Sequence, residues 1–154
     1  MKDRIDFADG INISPDNRHL YTATVLDGDL VTYKTNLNPA GETQPKEVTL
    51  DEVTPRIRLG GHLDNLEWSN GRREAILVAS HPSIAAFGLQ RAQAPVKAAS
   101  RIMQVSINKD GMPDAKSAKI VYWNDGSQVS AASVAAYYKD KKRERLIVGS
   151  PFED

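Results

Sequence analysis

Short segments that alternate apolar with polar residues recur along the chain, and clusters of Asp, Gly, Asn and Pro separate them. These segments are rich in β-branched and aromatic residues, which favours strands over helices. The predicted strands are Ile11–Ser14, His19–Thr24, Leu30–Thr35, Glu47–Val53, Leu63–Trp68, Ala75–Ser80, Arg101–Asn108, Ala118–Asn124, Ser133–Tyr138 and Arg145–Gly149. The pattern therefore predicts an all-β fold.

One segment breaks the strand pattern. Residues 83–92 (SIAAFGLQRA) follow Pro82 and contain few β-branched residues, which favours a helix. Pro95 lies just beyond this segment and is unable to continue a helix. We therefore expect one short helix near 83–92 within an otherwise β structure.

Three stretches share one order of elements: a short strand with small and polar residues, a polar turn, and an apolar strand. They are GINISPDNRHLYTA at 10–23, DNLEWSNGRREAILVA at 64–79 and SVAAYYKDKKRERLIVG at 133–149. Their separation of roughly 50 to 70 residues is close to that of large β-propeller blades, whose first strand lines a central channel. The repeat predicts a partial β-propeller in one domain at 1–154, with blades at about 5–55, 60–124 and, incomplete, 128–154. The second strand of each unit should be buried between neighbouring blades.

About two and a half to three blades do not close a ring, because propellers close with about four to eight. An open arc leaves strand edges and an apolar blade face uncovered, and both favour association. We therefore expect the chain to pair with the missing N-terminal half of a propeller, or to self-associate.

Composition removes several functional classes. The 20 basic and 20 acidic residues balance, so charge gives no reason to expect binding to nucleic acid or to a membrane surface. The absence of cysteine excludes disulfides, thiolate nucleophiles and zinc–thiolate sites. No apolar run is long enough for a bilayer span, and the start, MKDRIDFADG, is too polar for a signal peptide. The compartment stays open.

Residues with oxygen-bearing side chains cluster at or beside the first strand of each unit. They are Asp9 with Asn12, Asp64 with Asn65, and Ser130 with Ser133. Carboxylate and amide oxygens that converge from different blades suit calcium, which takes about 6 to 8 oxygen ligands. Asp and Asn are also common at strand ends, because their side chains bond the local backbone. From the residues alone, both interpretations stay open.

Several chemically capable side chains are expected to be structural. His19 opens an apolar strand, Trp68 and Trp123 are expected to pack between blades, and His62 is expected to lie in a loop. Ser133 has no His and Asp partner in any recognisable motif, so a serine nucleophile is not expected there.

Four motifs, in order, resemble those of the serum paraoxonase/arylesterase family. FADGINISPDNRHLYTA at 7–23 is similar to the family's FANGINISPD segment, and HLDNLEW at 62–68 to its VDN(I/L)S strand. The segment at 78–82 (VASHP) resembles its G-C-H-P segment, and QVSAASVA at 128–135 resembles its LQGS(S/T)VA strand. Order and spacing agree across nearly the whole chain.

The resemblance implies a six-bladed propeller with two calcium ions in its tunnel, one of them catalytic. It implies hydrolysis of lactones, aryl esters and, incidentally, some organophosphate triesters. Matched by position, the calcium ligands are Asp9, Asp64 and Asn65, and the substrate-pocket residues are Phe7, His81 and Ser133. Calcium polarises the carbonyl or phosphoryl oxygen of such substrates and stabilises the oxyanion that forms.

Two departures from the family pattern change the expectation. Asp9 stands where the family has asparagine, which adds a negative charge, holds calcium at least as tightly and weakens it as a Lewis acid. The family's proposed histidine dyad and its remaining calcium ligands lie in the first half of the propeller, which this chain does not match. We therefore expect about three calcium ligands here and no catalytic base, so that enzyme activity belongs to a parent protein.

Two alternatives stay open. The gluconolactonase and strictosidine synthase-like proteins share the fold but differ in metal use and reaction. A non-catalytic half-propeller would instead self-associate and only bind metal or a partner. The HLDN and SHP motifs favour the calcium-dependent hydrolase, whereas the missing dyad favours the non-catalytic interpretation for the chain by itself.

Overall fold

The computed structural model describes residues 7–39, 41–69, 74–92 and 96–152. In these ranges the elements are β1 (Ala8–Ile13), β2 (His19–Thr24), β3 (Asp29–Thr35), β4 (Leu50–Arg58), β5 (His62–Trp68), β6 (Ala75–His81), α1 (Ile84–Ala92), β7 (Ser100–Ser106), a 3-10 turn (Ala115–Ser117), β8 (Lys119–Asn124), β9 (Val134–Lys139) and β10 (Glu144–Gly149). The predicted all-β class with one short helix is confirmed. In the part of the chain described, no helix has the length and apolarity to cross a bilayer.

The strands form three antiparallel sheets that follow one another along the chain. The first sheet has the order β1-β2-β3-β4, the second has the order β5-β6-β7-β8, and the third consists of β9 and β10. The first strands of the sheets are neighbours, since β1 contacts β5 and β5 contacts β9. The sheets succeed one another as the predicted repeats do, while their closure into a propeller stays a prediction.

Strand β6 is the centre of the core, because sheets cover both of its faces. All seven of its residues are buried. Ile76 and Val78 pack against the first sheet, whereas the intervening Leu77 and Ala79 pack towards the third sheet. Alternate side chains of a strand point to opposite faces, so a run of apolar residues such as Ala75–Ala79 needs a sheet on each side.

The third sheet is covered on one face only. Its inner face packs on the second sheet through Ala135 and Tyr137 of β9 and Leu146 and Val148 of β10. On the opposite face Val134, Tyr138 and Ile147 are 40%, 52% and 61% exposed. The expectation that every second strand is buried is therefore wrong for β10, because no described residue covers that face.

Other details differ from the sequence-based expectations. Strand β4 continues to Arg58 rather than ending at Val53, and His62 begins β5 instead of lying in a loop. A ring nitrogen of His62 lies 2.8 Å from the carbonyl oxygen of Val25, which ties β5 to the first sheet. Trp123 is 60% exposed rather than packed between sheets, because it stands on the edge strand β8. Pro95 and the predicted turn at 70–71 lie outside the described residues.

The expected structural role of Trp68 agrees with its packing. Its ring meets that of Tyr21 edge-on, with centroids 5.8 Å apart, at the contact of the first and second sheets. Aromatic pairs favour this edge-to-face geometry because the positive edge of one ring meets the negative face of the other.

His19 is buried at the start of β2, beside the turn at Gly111. A Cβ atom on Gly111 would lie 2.4 Å from Nδ1 of His19, so the ring packs directly on that glycine. Burial lowers the pKa of His19, and the nearby Asp16 carboxylate opposes this shift in part. The neutral ring is therefore the form that the fold favours.

This burial predicts a loss of stability in mild acid. Because the pKa of folded His19 is depressed, its contribution is complete above 6.5, the ordinary value, and is lost as the pH falls towards the folded value. The variant His19→Gln does not titrate, so its free energy of unfolding should fall less between about pH 7.5 and 5.5. Urea denaturation at the two pH values measures the difference, and identical decreases in both proteins would contradict it.

The position of β6 predicts a steep cost for truncating its side chains. Ile76 is fully buried, so Ile76→Ala should lower the free energy of unfolding by about 3 kcal/mol through lost transfer energy and a residual cavity. Ile147 is 61% exposed, and Ile147→Ala should change it by less than about 0.5 kcal/mol. Urea denaturation compares the two, and equal losses would contradict a core centred on β6.

Candidate metal centre between the first and second sheets

The predicted calcium ligands lie in two matching irregularities of neighbouring strands. The pairing of β1 with β2 shifts between Ala8 and Ile11, and that of β5 with β6 shifts between Leu63 and Leu66. Each shift inserts one extra residue, a β-bulge, at the positions of Asp9–Gly10 and Asp64–Asn65. Bulges redirect side chains and are frequent beside active sites.

Gly10 allows the two bulges to touch. A Cβ atom at this position would lie 2.4 Å from the carbonyl oxygen of Asp64 and 2.7 Å from Cα of Asn65. Backbone atoms are unable to yield at such distances, so a side chain here would push β1 away from β5. On the other side, the Thr22 hydroxyl donates to the Gly10 carbonyl oxygen at 3.0 Å and holds the bulge in place.

Asp64 is held at both carboxylate oxygens. It is 9% exposed, its Oδ2 lies 3.0 Å from Nε2 of His81, and its Oδ1 accepts from Nδ2 of Asn65 at 2.8 Å. A buried carboxylate is tolerated only with such partners. Each carboxylate oxygen has two lone pairs, so one on each oxygen remains for a cation.

Asn65 is oriented from the third sheet. Its backbone N–H and its Nδ2 both donate to the carbonyl oxygen of Ser133, at 3.3 and 3.0 Å. With the amide nitrogen engaged by Ser133 and by Asp64, the side-chain oxygen is left as the atom able to ligate a metal. The role of Asn65 as a calcium ligand, which the resemblance implies, stays a prediction.

Asp9 completes the group from β1, where it is exposed. Although Asp9 is exposed, partial burial of its carboxyl raises the pKa, and the neighbouring Asp64 carboxylate raises it further, while His81 acts in the opposite direction. The two carboxylates therefore repel each other across the contact of the sheets. A bound cation would remove that repulsion.

His81, a predicted pocket residue, is 3% exposed at the end of β6. Its ring stacks on that of Phe87 in α1, with centroids 4.2 Å apart and planes at 21°, and Phe87 meets Phe152 edge-on at 6.0 Å. Nε2 faces Asp64, and Nδ1 is buried without a hydrogen-bond partner in the described structure. The ring is thus clamped between a carboxylate and an aromatic wall.

The other two predicted pocket residues are placed differently. Ser133 joins the site through its backbone carbonyl, which accepts from Asn65. Phe7 precedes β1 in a left-handed conformation, with φ of 54°, and its side chain is 71% exposed. Its carbonyl oxygen accepts from the N–H of Val25 at 2.9 Å. Their contact with a substrate stays a prediction.

Sequence patterns did not single out Phe87, Phe152 or Gln90. The available signal for Phe87 was its short separation from His81 along the chain. Ser83 caps the helix immediately after the strand, and the carbonyl oxygen of Ser83 accepts from the N–H of Phe87 at 3.1 Å. A helix that starts so close to β6 returns its first turn over the end of that strand. Phe152 reaches the same wall from beyond β10, which no local pattern indicates.

The donor set fits a hard cation and leaves its coordination incomplete. Two carboxylates and an amide oxygen are ligands that calcium prefers, and soft ligands are absent. Among the residues that the structure describes, no group of three or more His, Asp or Glu could hold a metal. Asp9, Asp64 and Asn65 would by themselves give only part of the about 6 to 8 oxygens that calcium takes, and their role as ligands stays a prediction.

Comparison with known proteins gives a consistent result. A family model described as arylesterase matches residues 1–153. Serum paraoxonase/arylesterase 2 of Bos taurus and that of Canis lupus familiaris are each 30% identical over 146 residues, which is 94% of this chain and 35% of the relative. The chain thus spans about a third of the length of the curated relatives that it matches. The chain belongs to the serum paraoxonase/arylesterase family.

Proposed function

We propose that the chain supplies part of the active site of a calcium-dependent hydrolase that acts on lactones, aryl esters and, to a lesser degree, organophosphate triesters. One observation carries the proposal: Asp9, Asp64 and Asn65 all lie in the two bulges at which β1 touches β5. The pKa of Asp9 is raised mainly by burial and further by the Asp64 carboxylate, and this second effect supports the proposal because a cation would relieve the repulsion.

When bound, calcium supplies electrostatic stabilisation to the oxyanion that develops on the carbonyl or phosphoryl group. The chain's own residues prepare the site for this. His81 and Asn65 each hold one oxygen of Asp64, so the carboxylate is unable to rotate away. Groups fixed before the reaction need no reorganisation during it, which is the main source of such catalysis.

The aromatic wall limits access of water from one side. Phe87 covers the face of His81, and Phe152 packs against the edge of Phe87. A drier site strengthens the interaction between charged groups, because the local dielectric constant falls. We assign no catalytic base to this chain and propose that the base lies on other blades, as the resemblance implies.

We propose a six-bladed propeller as the complete architecture, with further blades as the partner of this chain. The neighbouring arrangement of β1, β5 and β9 supports this, since the first strands of blades line a common channel. The exposed face with Val134, Tyr138 and Ile147 supports it as well, because an apolar blade face is normally covered by the next blade.

The proposal predicts turnover that depends on calcium and on the missing blades. A longer protein that supplies them should hydrolyse phenyl acetate and a lactone, lose the activity in EGTA and regain it with calcium, whereas this chain by itself should show no turnover. In the longer protein Asp64→Asn should lower kcat/KM by about a hundredfold, since it weakens the charge that stabilises the transition state.

A matched control is Asp51→Asn, which removes the same charge from the exposed start of β4 and should leave kcat/KM unchanged. Circular dichroism establishes that all variants are folded. Hydrolysis that continues in EGTA, or an equal loss of kcat/KM in both variants, would contradict the calcium mechanism.

Asp9→Asn should act in opposite directions with and without metal. Without calcium it removes repulsion from Asp64 at an exposed position, so the melting temperature should rise by about 1 to 2 °C, for about 0.5 kcal/mol. With calcium it removes a ligand charge, so the affinity measured by calorimetry should fall about fivefold.

The control for that pair of measurements is Asp27→Asn, a change of the same charge in the exposed turn between β2 and β3. It should alter neither quantity in this way. If Asp9→Asn raised or lowered both the melting temperature and the calcium affinity, the Asp9 carboxylate would not share a cation with Asp64.

A further inference from the structure

A buried hydrogen bond between Gln90 and Ser130 joins α1 to the loop that precedes β9. Gln90 and Ser130 are 4% and 2% exposed. The Ser130 hydroxyl donates to Oε1 of Gln90 at 2.7 Å, and the same oxygen accepts from the N–H of Ala98 at 3.0 Å. We call this group, Gln90, Ser130 and Ala98, the clasp.

One arm leads from the clasp through α1 to Asp64. Gln90 follows Phe87 by about one helical turn, so fixing Gln90 also fixes the position of Phe87. Phe87 stacks on His81, and Nε2 of His81 holds Oδ2 of Asp64 at 3.0 Å. The position of α1 therefore affects one oxygen of the Asp64 carboxylate through two contacts, that of Phe87 with His81 and that of His81 with Asp64.

A second arm leads from the clasp through the loop to the same carboxylate. The N–H of Ala131 donates to the Ala98 carbonyl oxygen at 3.0 Å, and that of Ala132 donates to the Ser100 hydroxyl at 2.7 Å. These bonds set the backbone up to Ser133, whose carbonyl oxygen receives both N–H groups of Asn65. Asn65 then holds Oδ1 of Asp64 at 2.8 Å.

We propose that the Gln90–Ser130 clasp is a positioning device for the Asp64 carboxylate. Each oxygen of Asp64 is held by a group that the clasp helps to place, one through α1 and the other through the loop. Its catalytic meaning rests on the proposed function, whereas its structural effect on Asp64 does not.

The buried setting gives the clasp its leverage. A polar group that loses its partner in a buried site pays the desolvation cost of that group, so α1 and the loop are unable to separate slightly at no cost. Networks of this kind confine the structure to one arrangement when every member is satisfied. Partners that orient a metal ligand typically change metal affinity by about 10- to 100-fold when they are removed.

The test compares four variants of the chain. Gln90→Leu removes the acceptor, Ser130→Ala removes the donor, and Gln90→Glu keeps an acceptor oxygen. Besides Gln90, the Ser130 hydroxyl bonds the N–H and the carbonyl oxygen of Ala98. The matched control, Ser117→Ala, likewise removes a hydroxyl with two backbone partners, the N–H of Ser106 and the carbonyl of Asp114, beyond the far end of β7.

Two NMR signals report on the two paths from the clasp to Asp64, and neither requires an assay of turnover. Stacking on Phe87 shifts the His81 ring protons upfield in the NMR spectrum, and the hydrogen bonds of Asn65 shift its side-chain amide protons downfield. In Gln90→Leu and Ser130→Ala both sets of signals should move towards unshifted values, and calcium affinity measured by calorimetry should fall about tenfold. Gln90→Glu should stay within about twofold of the starting affinity, and Ser117→Ala should change none of these signals.

Each outcome decides the question. Unchanged signals in both Gln90→Leu and Ser130→Ala, movement of one set only, or equal movement in Ser117→Ala would overturn the clasp as a common positioning device. Should Gln90→Leu fail to fold, Ser130→Ala carries the same comparison. If the signals move as expected while the chain and the longer protein neither bind calcium nor hydrolyse esters, the clasp stands and the proposed function falls.

Discussion

The backbone contact between Gly10 of β1 and Asp64 of β5 is the constraint on which the candidate site depends. With no side chain at Gly10, two bulged strands approach until the carbonyl of one would collide with a Cβ atom on the other. That approach brings a carboxylate from each sheet into one electrostatic field. The same contact places β5 beside β1, and β5 also contacts β9. The position of the site and the order of the sheets therefore depend on the same strand.

The site also illustrates how charge and packing are balanced. Two neighbouring carboxylates destabilise the chain without a cation, and the fold tolerates them because Asp9 is exposed while the buried Asp64 has two hydrogen-bond partners. An asparagine in place of Asp9, as in the family motif, would avoid that repulsion. Under the proposed function, the aspartate would lower the stability of the chain without a cation and strengthen the attraction to a bound one.

Much of the fold was accessible from the sequence because its strands are rich in β-branched, aromatic and other apolar residues and are separated by turn residues. The strands from His19 to Thr24 and from Ala75 to His81, and the helix after Pro82, follow from local composition. Burial was not accessible in the same way. Ile147 and Trp123 have the residue types of a core but lie on an uncovered face and an edge strand, and only the arrangement of sheets decides that.

For the site, the resemblance of short motifs to the family's pattern indicated Asp9, Asp64 and Asn65, whereas their spacing by itself left a structural interpretation open. The geometry that makes them useful was not local. The stacking of Phe87 on His81 and the bond between Gln90 and Ser130 join segments distant in sequence, and neither Phe87 nor Gln90 has an unusual neighbour in the chain.

The paired bulges imply that the site is encoded by strand length as well as by residue type. At each bulge the strand has one residue more than the segment of the partner strand opposite it. That extra residue breaks the regular alternation, so Asp64 and Asn65, which are adjacent in sequence, both lie at the candidate site. Deleting a single residue from either bulge would restore one-to-one pairing, so two neighbouring side chains would no longer stand opposite one residue of the partner strand. A homologue that kept the same acidic residues but had a strand shorter by one residue would therefore retain the ligand residue types and lose the geometry of the site.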